Sequence, residues 1–388
     1  MSVEESAHSY CYVDSNQSIK RVCRELAENA CLAFDSEFIR TDTFFPKPGL
    51  YQIAGGSGTF LVDPLAIDDW NCLKQLLGAS NIDVVMHSCG EDLGLLHHAL
   101  NILPACLFDT QRAAAFVGYD YSLSYQALVK AELGVELPKG ETRSDWLRRP
   151  LDQAQLSYAA LDVAYLLELR LRLIDKMTSL GRLDWFEADC RDMISNVTDE
   201  RDQRAWESAY KNIGSAWRLD ENSLSLLQKL AYWREFTARE RNKPRNWIAK
   251  DQDLLTLASR LSAHRTVTPL QIEKTDVFTP RFLATYVNSI VEFLGGDHEY
   301  QQDAQLILLS RPLNNRARQQ LKELQNFTRE VAQRESISPE LLARKRQWLE
   351  LLENRQRGIE NFWPAGLDNW RRILLEQGAE KIITKSAA

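Results

Sequence analysis

Everything strand-like in this chain lies before about residue 200, and beyond that point the pattern is helical. In the first half, short apolar runs alternate with helix-period segments. Cys31 to Glu37, Gly49 to Gly55, Thr59 to Asp63, Asp83 to Met86 and Ala105 to Phe108 read as strands. Gly55-Gly56-Ser57-Gly58 reads as a hairpin turn between two of them. No helix start and no Lys-Ser/Thr follow it, which argues against a phosphate loop. Helices are expected over 16–30, 67–77, from about Asp92 to about Leu100, and over 122–133, with one long helix over 152–177. Strands interleaved with helices predict an α/β domain, and the early hairpin makes its sheet mixed.

Within that domain Phe34-Asp35-Ser36-Glu37-Phe38 is the most informative stretch. An apolar strand runs into two acids at alternate positions, and alternate residues of a strand share a face. Asp35 and Glu37 therefore present two carboxylates side by side. A divalent cation with oxygen ligands would relieve their repulsion, and so would simple solvation at a strand end. Asp92 follows another strand at the opening of a helix. Tyr158 and Asp162 lie four apart, on one helix face, inside an apolar run where Asp is a poor helix former.

The seven cysteines are scattered and never spaced as CxxC, which fits reduced thiols in a cytoplasm and argues against a zinc site or a disulfide framework. No apolar run is long enough to cross a bilayer, and Met1 to Tyr10 lack the features of a secretory signal. The net charge of −7 hides an asymmetry. Residues 1–200 carry 17 basic and 30 acidic side chains, whereas 201–388 carry 30 and 24. An acidic first half suits a carboxylate site that takes metal, and a basic second half suits a polyanion.

The helical half carries a faint repeat at an offset of 94 residues. Leu230, Trp233 and Ala238 match Leu324, Phe327 and Ala332, while Leu254 and Leu257 match Trp348 and Leu351. Two copies of one small bundle would explain it. Residues 229–250 hold seven basic side chains against two glutamates, with Trp247 in the turn after Pro244. Cations beside an aromatic suit single-stranded nucleic acid, and Lys243, Arg245 and Trp247 are the candidates there. Trp233 is expected in the core. Lys139, Arg143, Arg148 and Arg149, in the loop before the Tyr158 helix, are candidates for phosphate contacts, or simply a solvated charged loop.

The order of these motifs, FDSEF, then HSCGEDL, then YAALDVAYLL, resembles the DEDD superfamily of 3′→5′ exonucleases in its tyrosine branch, and most closely bacterial ribonuclease D. Thr43-Phe44-Phe45-Pro46 to Ala54 and Ser144-Asp145-Trp146 to Leu151 are similar to the family as well. The family often has a tyrosine pair where Phe44-Phe45 stand, and alanine at Ser88. The histidine branch is excluded, because the residue five before Asp162 is Ser157.

The resemblance implies a ribonuclease H-like α/β exonuclease domain (residues 1–200) followed by two all-α HRDC-like domains (211–295 and 300–380). It implies metal ligation by Asp35, Glu37, Asp92 and Asp162, with two Mg²⁺ or Mn²⁺ ions, and a water-orienting role for Tyr158. His87 is expected to be structural. The implied activity is 3′→5′ hydrolysis of RNA to 5′-mononucleotides, with tRNA precursors and other 3′-extended structured RNAs as substrates. A DNA exonuclease of the same superfamily, a non-catalytic RNA-binding scaffold and a protein-docking role for the helical half are the alternatives. No obligate protein partner is expected.

Overall fold

The computed structural model describes residues 9–138, 144–201, 203–264, 266–296, 306, 309 and 313–385. They form two compact units, one of the described residues within 1–39, 47–197 and 313–388, the other of those within 40–46 and 198–312.

The first unit is built on a mixed six-stranded sheet of β1 (Tyr10–Val13), β2 (Cys31–Ile39), β3 (Lys47–Gly55), β4 (Gly58–Val62), β5 (Asp83–Met86) and β6 (Cys106–Asp109), in the order β1-β4-β3-β2-β5-β6. β2, β3 and β4 are joined antiparallel; β5 and β6 extend the sheet parallel to β2, and β1 pairs parallel with β4. Flanking it are α1 (Asn16–Leu26), α2 (Asn71–Leu77), α3 (Gly90–Leu100), α4 (Thr110–Phe116), α5 (Tyr125–Leu133), α6 (Gln153–Ala164), α7 (Leu166–Ser179) and α8 (Leu183–Arg201). Leu32, Phe34, Ile53, Val84 and Leu96 are fully buried between sheet and helices.

Several sequence expectations change: the helix expected over 16–30 ends at Leu26, and that expected over 67–77 begins at Asn71. β1 was not anticipated, since four residues of an edge strand carry too little pattern to read. The helix expected over 152–177 is two helices, broken at Tyr165.

The second unit contains α9 (Gln203–Glu207), α10 (Glu221–Glu240), α11 (Arg245–Ile248), α12 (Asp251–Leu261), α13 (Pro269–Glu273) and α14 (Pro280–Gly295) around Trp233, Leu230 and Leu257. In the first unit, α15 (Asn315–Glu335), α16 (Pro339–Leu342), α17 (Lys345–Gln356) and α18 (Trp370–Lys385) form a similar bundle. The starts of α15, α16 and α17 each follow those of α10, α11 and α12 by 94 residues. Trp233 donates to Ser289 Oγ at 3.1 Å, and Trp348, matched to Leu254, donates to Thr328 Oγ1 at 2.9 Å.

The C-terminal bundle is anchored to the sheet unit by polar as well as apolar contacts. Trp185 stacks on Trp370 at 4.8 Å, and Arg182 donates to the carbonyl of Phe116 at 2.7 Å and to that of Ser336 at 3.2 Å. Among the described residues no helix is long and apolar enough to cross a membrane.

Candidate active site

β2 sets the first two acids. Asp35 pairs with Gln52 and Glu37 with Leu50 on β3, and a bulge follows between Glu37 and Phe38. Residues opposite one another on antiparallel strands share a face, so Gln52 and Leu50 flank the two carboxylates. Leu50 packs with Leu61, Trp146, Leu151, Ala159 and Ala160, the cluster that seats α6 on this part of the sheet. Trp146 approaches β3 so closely that a side chain at Gly49 would sit 2.6 Å from its Cβ, which leaves room for glycine alone. The Trp146 ring then lies 6.3 Å from that of Tyr158.

Asp92 enters on the first turn of α3, where the helix dipole favours an acid. The start of α3 is fixed from below. Asp109 accepts the Cys89 N–H at 2.8 Å through one oxygen and the Arg112 N–H at 2.8 Å through the other, tying the N-termini of α3 and α4 together. Ser36 donates to Asp92 Oδ1. Asp162 sits in the last turn of α6, with the Tyr158 hydroxyl one turn away and within hydrogen-bonding reach of its carboxylate.

The four acids act on one another. Asp35 is held protonated well above the usual carboxylate range, first by burial and then by the charges of Asp92, Asp162 and Glu37. Burial followed by the charges of Asp162 and Asp92 pushes Glu37 up to about 8. Burial raises Asp162 to about 7, against the opposing hydrogen bond from Tyr158. Burial raises Asp92 to about 6, moderated by Ser36. Tyr158 is displaced upward by burial and by the Asp162 charge, so its phenol stays protonated.

This donor set fits a divalent cation. It offers oxygen ligands only, as Mg²⁺ and Mn²⁺ prefer, and Asp162 Oδ2 is buried with no hydrogen-bond partner. Among the described residues no three His, Cys, Asp or Glu side chains form a ready metal cluster.

The remaining candidates divide. Both His87 ring nitrogens are engaged, Nδ1 with Thr110 Oγ1 at 2.9 Å and Nε2 with the Leu123 carbonyl at 3.1 Å, and burial keeps the ring neutral. Lys139 and Arg143 lie outside the described residues. Arg148 is exposed. Arg149 is not a free phosphate ligand: its guanidinium grips both oxygens of Asp63 at 2.6 Å and the Gly49 carbonyl at 2.6 Å. Arg245 is likewise held, by Glu235 and over the Phe44 ring at 4.8 Å. Lys243 reaches the Asp42 carbonyl at 3.4 Å and lies 5.6 Å from the Trp247 ring, which is 60% exposed. Gln52 was not singled out from sequence. It is fully buried beside Asp35, and neither amide atom has a hydrogen-bond partner among the described residues; a polar residue within an otherwise apolar strand was its only signal.

A mixed sheet carrying paired acids on its central strand, an acid at the start of one helix and a Tyr-x-x-x-Asp turn at the end of another define a 3′→5′ exonuclease. The family model described as 3′-5′ exonuclease matches residues 10–178, and that of the HRDC domain matches 223–294. The chain is 35% identical to ribonuclease D of Pseudomonas paraeruginosa over 94% of its length and 95% of the relative's. It is 31% identical to ribonuclease D of Escherichia coli, over 97% and 98%. The crystal structure of Escherichia coli RNase D, described as an exoribonuclease involved in structured RNA processing, superposes with a TM-score of 0.82 at 29% identity, covering 97% of this chain and 99% of that one. The chain belongs to the ribonuclease D family and is a 3′→5′ exoribonuclease. Enzymes of this class generally depend on divalent metal.

Proposed function

We propose that this protein trims structured RNAs from the 3′ end in the cytoplasm, releasing 5′-mononucleotides, with 3′-extended tRNA precursors among its substrates. The observation that carries this reading is the convergence of Asp35, Glu37, Asp92 and Asp162, whose charges act on one another beside Tyr158. The description of the Escherichia coli relative supports structured RNA as the substrate class.

Asp35, Glu37, Asp92 and Asp162 would hold two Mg²⁺ or Mn²⁺ ions. Such ions, when bound, supply hydroxide at neutral pH and stabilise a leaving 3′-oxygen. The acids must give up their protons to serve as ligands. Tyr158, held as a neutral phenol, is a donor and not a base: it orients the attacking water or a non-bridging phosphate oxygen. Arg148, with Lys139 and Arg143 of the same loop, would contact phosphates along the strand. Lys243 and Trp247 would hold and stack single-stranded RNA on the helical unit. Arg149 and Arg245 are assigned instead to holding the fold.

The test is a time course on a 3′-extended tRNA labelled at its 5′ end, in Mg²⁺, Mn²⁺ or EDTA, with Asp35→Asn protein and a matched single-stranded DNA alongside. Stepwise shortening that requires metal, prefers RNA and is lost in D35N is expected. Equal or faster shortening of the DNA would assign a DNA exonuclease instead. RNA binding without shortening in either metal would make the protein a binder.

A further inference from the structure

The end of α6 is made by a side chain. No proline or glycine interrupts 153–179, yet the helix stops at Ala164 and a new one starts at Leu166, with Tyr165 between them at φ −110° and ψ 0°. The Tyr125 hydroxyl occupies the break. It donates to the Leu161 carbonyl at 3.0 Å and accepts from the Tyr165 N–H at 3.0 Å. In an unbroken helix those two backbone groups, four residues apart, would bond each other. A side chain inserted into this ladder is a recognised cause of a sharp helix break. A hydroxyl suits the place because it donates and accepts at once. Burial raises the Tyr125 pKa and keeps it neutral, so the donor is retained.

Leu161, whose carbonyl the bridge holds, directly precedes Asp162. The carboxylate itself is poorly secured: one oxygen is buried with no partner, and the other hydrogen-bonding influence on it is Tyr158. Its location is therefore set mainly by the backbone of the last helical turn, the part of a helix whose carbonyls lack helical partners. The Tyr125 ring is in turn placed against His87 at 5.7 Å, and His87 is pinned through both nitrogens.

We propose that Tyr125 is a positioning residue for Asp162: its hydroxyl bridge fixes the last turn of α6 and so places the Asp162 carboxylate opposite Asp35 and Asp92. This rests on the reading of Asp162 as a metal ligand. Tyr125 touches neither substrate nor reacting atoms. It also accounts for His87, a residue beside the site whose work is to hold the tyrosine ring.

The experiment uses the full chain with Tyr125→Phe, which removes the bridge and keeps the ring. Mn²⁺ alone is titrated calorimetrically, amide exchange is followed over residues 159–168, and kcat and KM are measured on 3′-extended RNA. Expected are Mn²⁺ affinity weakened at least fivefold, faster exchange over 161–166, and kcat lowered at least tenfold with KM within twofold of wild type. Tyr125→Gln, which keeps a donor and an acceptor, should recover part of the affinity. Reduced thermal stability with unchanged Mn²⁺ affinity and kcat would overturn the inference, leaving a merely structural tyrosine. Should Y125F fail to fold, Y125Q decides: Mn²⁺ affinity between those of wild type and D162N supports the bridge, and affinity as weak as that of D162N overturns it. Wild-type protein that binds no Mn²⁺ would remove the metal-ligand reading itself, and this inference with it; wild-type binding matched by Y125F removes the inference alone.

Discussion

Arg149 and Asp63 form a two-pronged ion pair, with Nε and Nη2 each 2.6 Å from a different carboxylate oxygen. Tyr12 donates to the same carboxylate at 2.7 Å, and Arg149 also reaches the carbonyls of Gly49 and Trp146. The pair thus joins the loop before α6 to β1, β3 and the end of β4. The arginine lies in a run of cations that reads as a phosphate-binding loop, and its structural partner is 86 residues away in sequence.

Replacing Arg149 by Met should therefore cost stability and not RNA contacts. Removing one partner of a buried pair costs about 3–5 kcal/mol; Arg149 is partly exposed, so about 2 kcal/mol is expected. A urea titration of R149M checks the loss. The salt dependence of RNA binding should keep its slope. A shallower slope with undiminished stability would return Arg149 to the phosphate contacts.

The site acids give the metal-free protein a distinctive pH response. Glu37 is raised to about 8, Asp162 to about 7 and Asp92 to about 6. Unfolded, they titrate near 4. The folded state then binds more protons than the unfolded one between these values. The contribution of these three acids to stability is greatest below about pH 4 and is lost as pH rises through 6 to 8. In EDTA, Glu37→Gln should melt higher than wild type at pH 8 and equal to it at pH 4. Mn²⁺ affinity of the wild type should rise across pH 6 to 8, with proton release on binding. A wild-type minus E37Q difference that does not vary with pH would contradict this.

The sheet was legible because its strands are built on apolar runs bounded by turn residues: Asp83–Met86 reads directly from DVVM. The acids were legible because charge within apolar runs is conspicuous. Long-range polar partners were not. Nothing local says that Arg149 belongs to Asp63, or that Arg245 belongs to Glu235 and the Phe44 ring. The break at Tyr165 was invisible for the same reason, since its cause is a hydroxyl 40 residues away. Likewise the offset of 94 was visible in Leu and Trp positions, but the docking of the second bundle on α4 and α8 depends on Arg182, Asp189 and Trp185, whose partners lie far along the chain.

Tyr158 should matter to rate and not to metal loading. Its phenol is held neutral by burial and by the Asp162 charge, so its contribution is a hydrogen bond. Losing one donor aimed at developing charge costs about 100-fold in kcat. Tyr158→Phe is expected to show a loss of that order in single-turnover hydrolysis, with Mn²⁺ affinity within threefold of wild type. An unchanged rate would leave the tyrosine as packing against Trp146.

Trp247 is 60% exposed, beside Lys243, on a four-residue helix of the second unit. Stacking of a base on an aromatic is worth about 1–3 kcal/mol. Trp247→Ala should weaken binding of single-stranded RNA about tenfold at constant salt, read by fluorescence anisotropy, without moving the melting temperature. Unaltered affinity would exclude this face from RNA binding.

Asp189 holds the C-terminal bundle in place. It is 5% exposed, accepts from Arg371 of α18 through one oxygen, and pairs with Arg112 of α4 at 3.1 Å through the other. Arg371 also donates to the Leu341 carbonyl at 2.5 Å. Asp189→Ala leaves two arginines facing each other in a buried place, an uncompensated arrangement that costs about 3–5 kcal/mol. Arg371→Met alone strands less charge, because Asp189 keeps Arg112. Combining the two removes one of the stranded cations, so the double variant should be less destabilised than the sum of the singles. Urea midpoints of the four proteins measure that coupling. Strict additivity would mean that the aromatic stack of Trp185 on Trp370 anchors the bundle without help from Asp189.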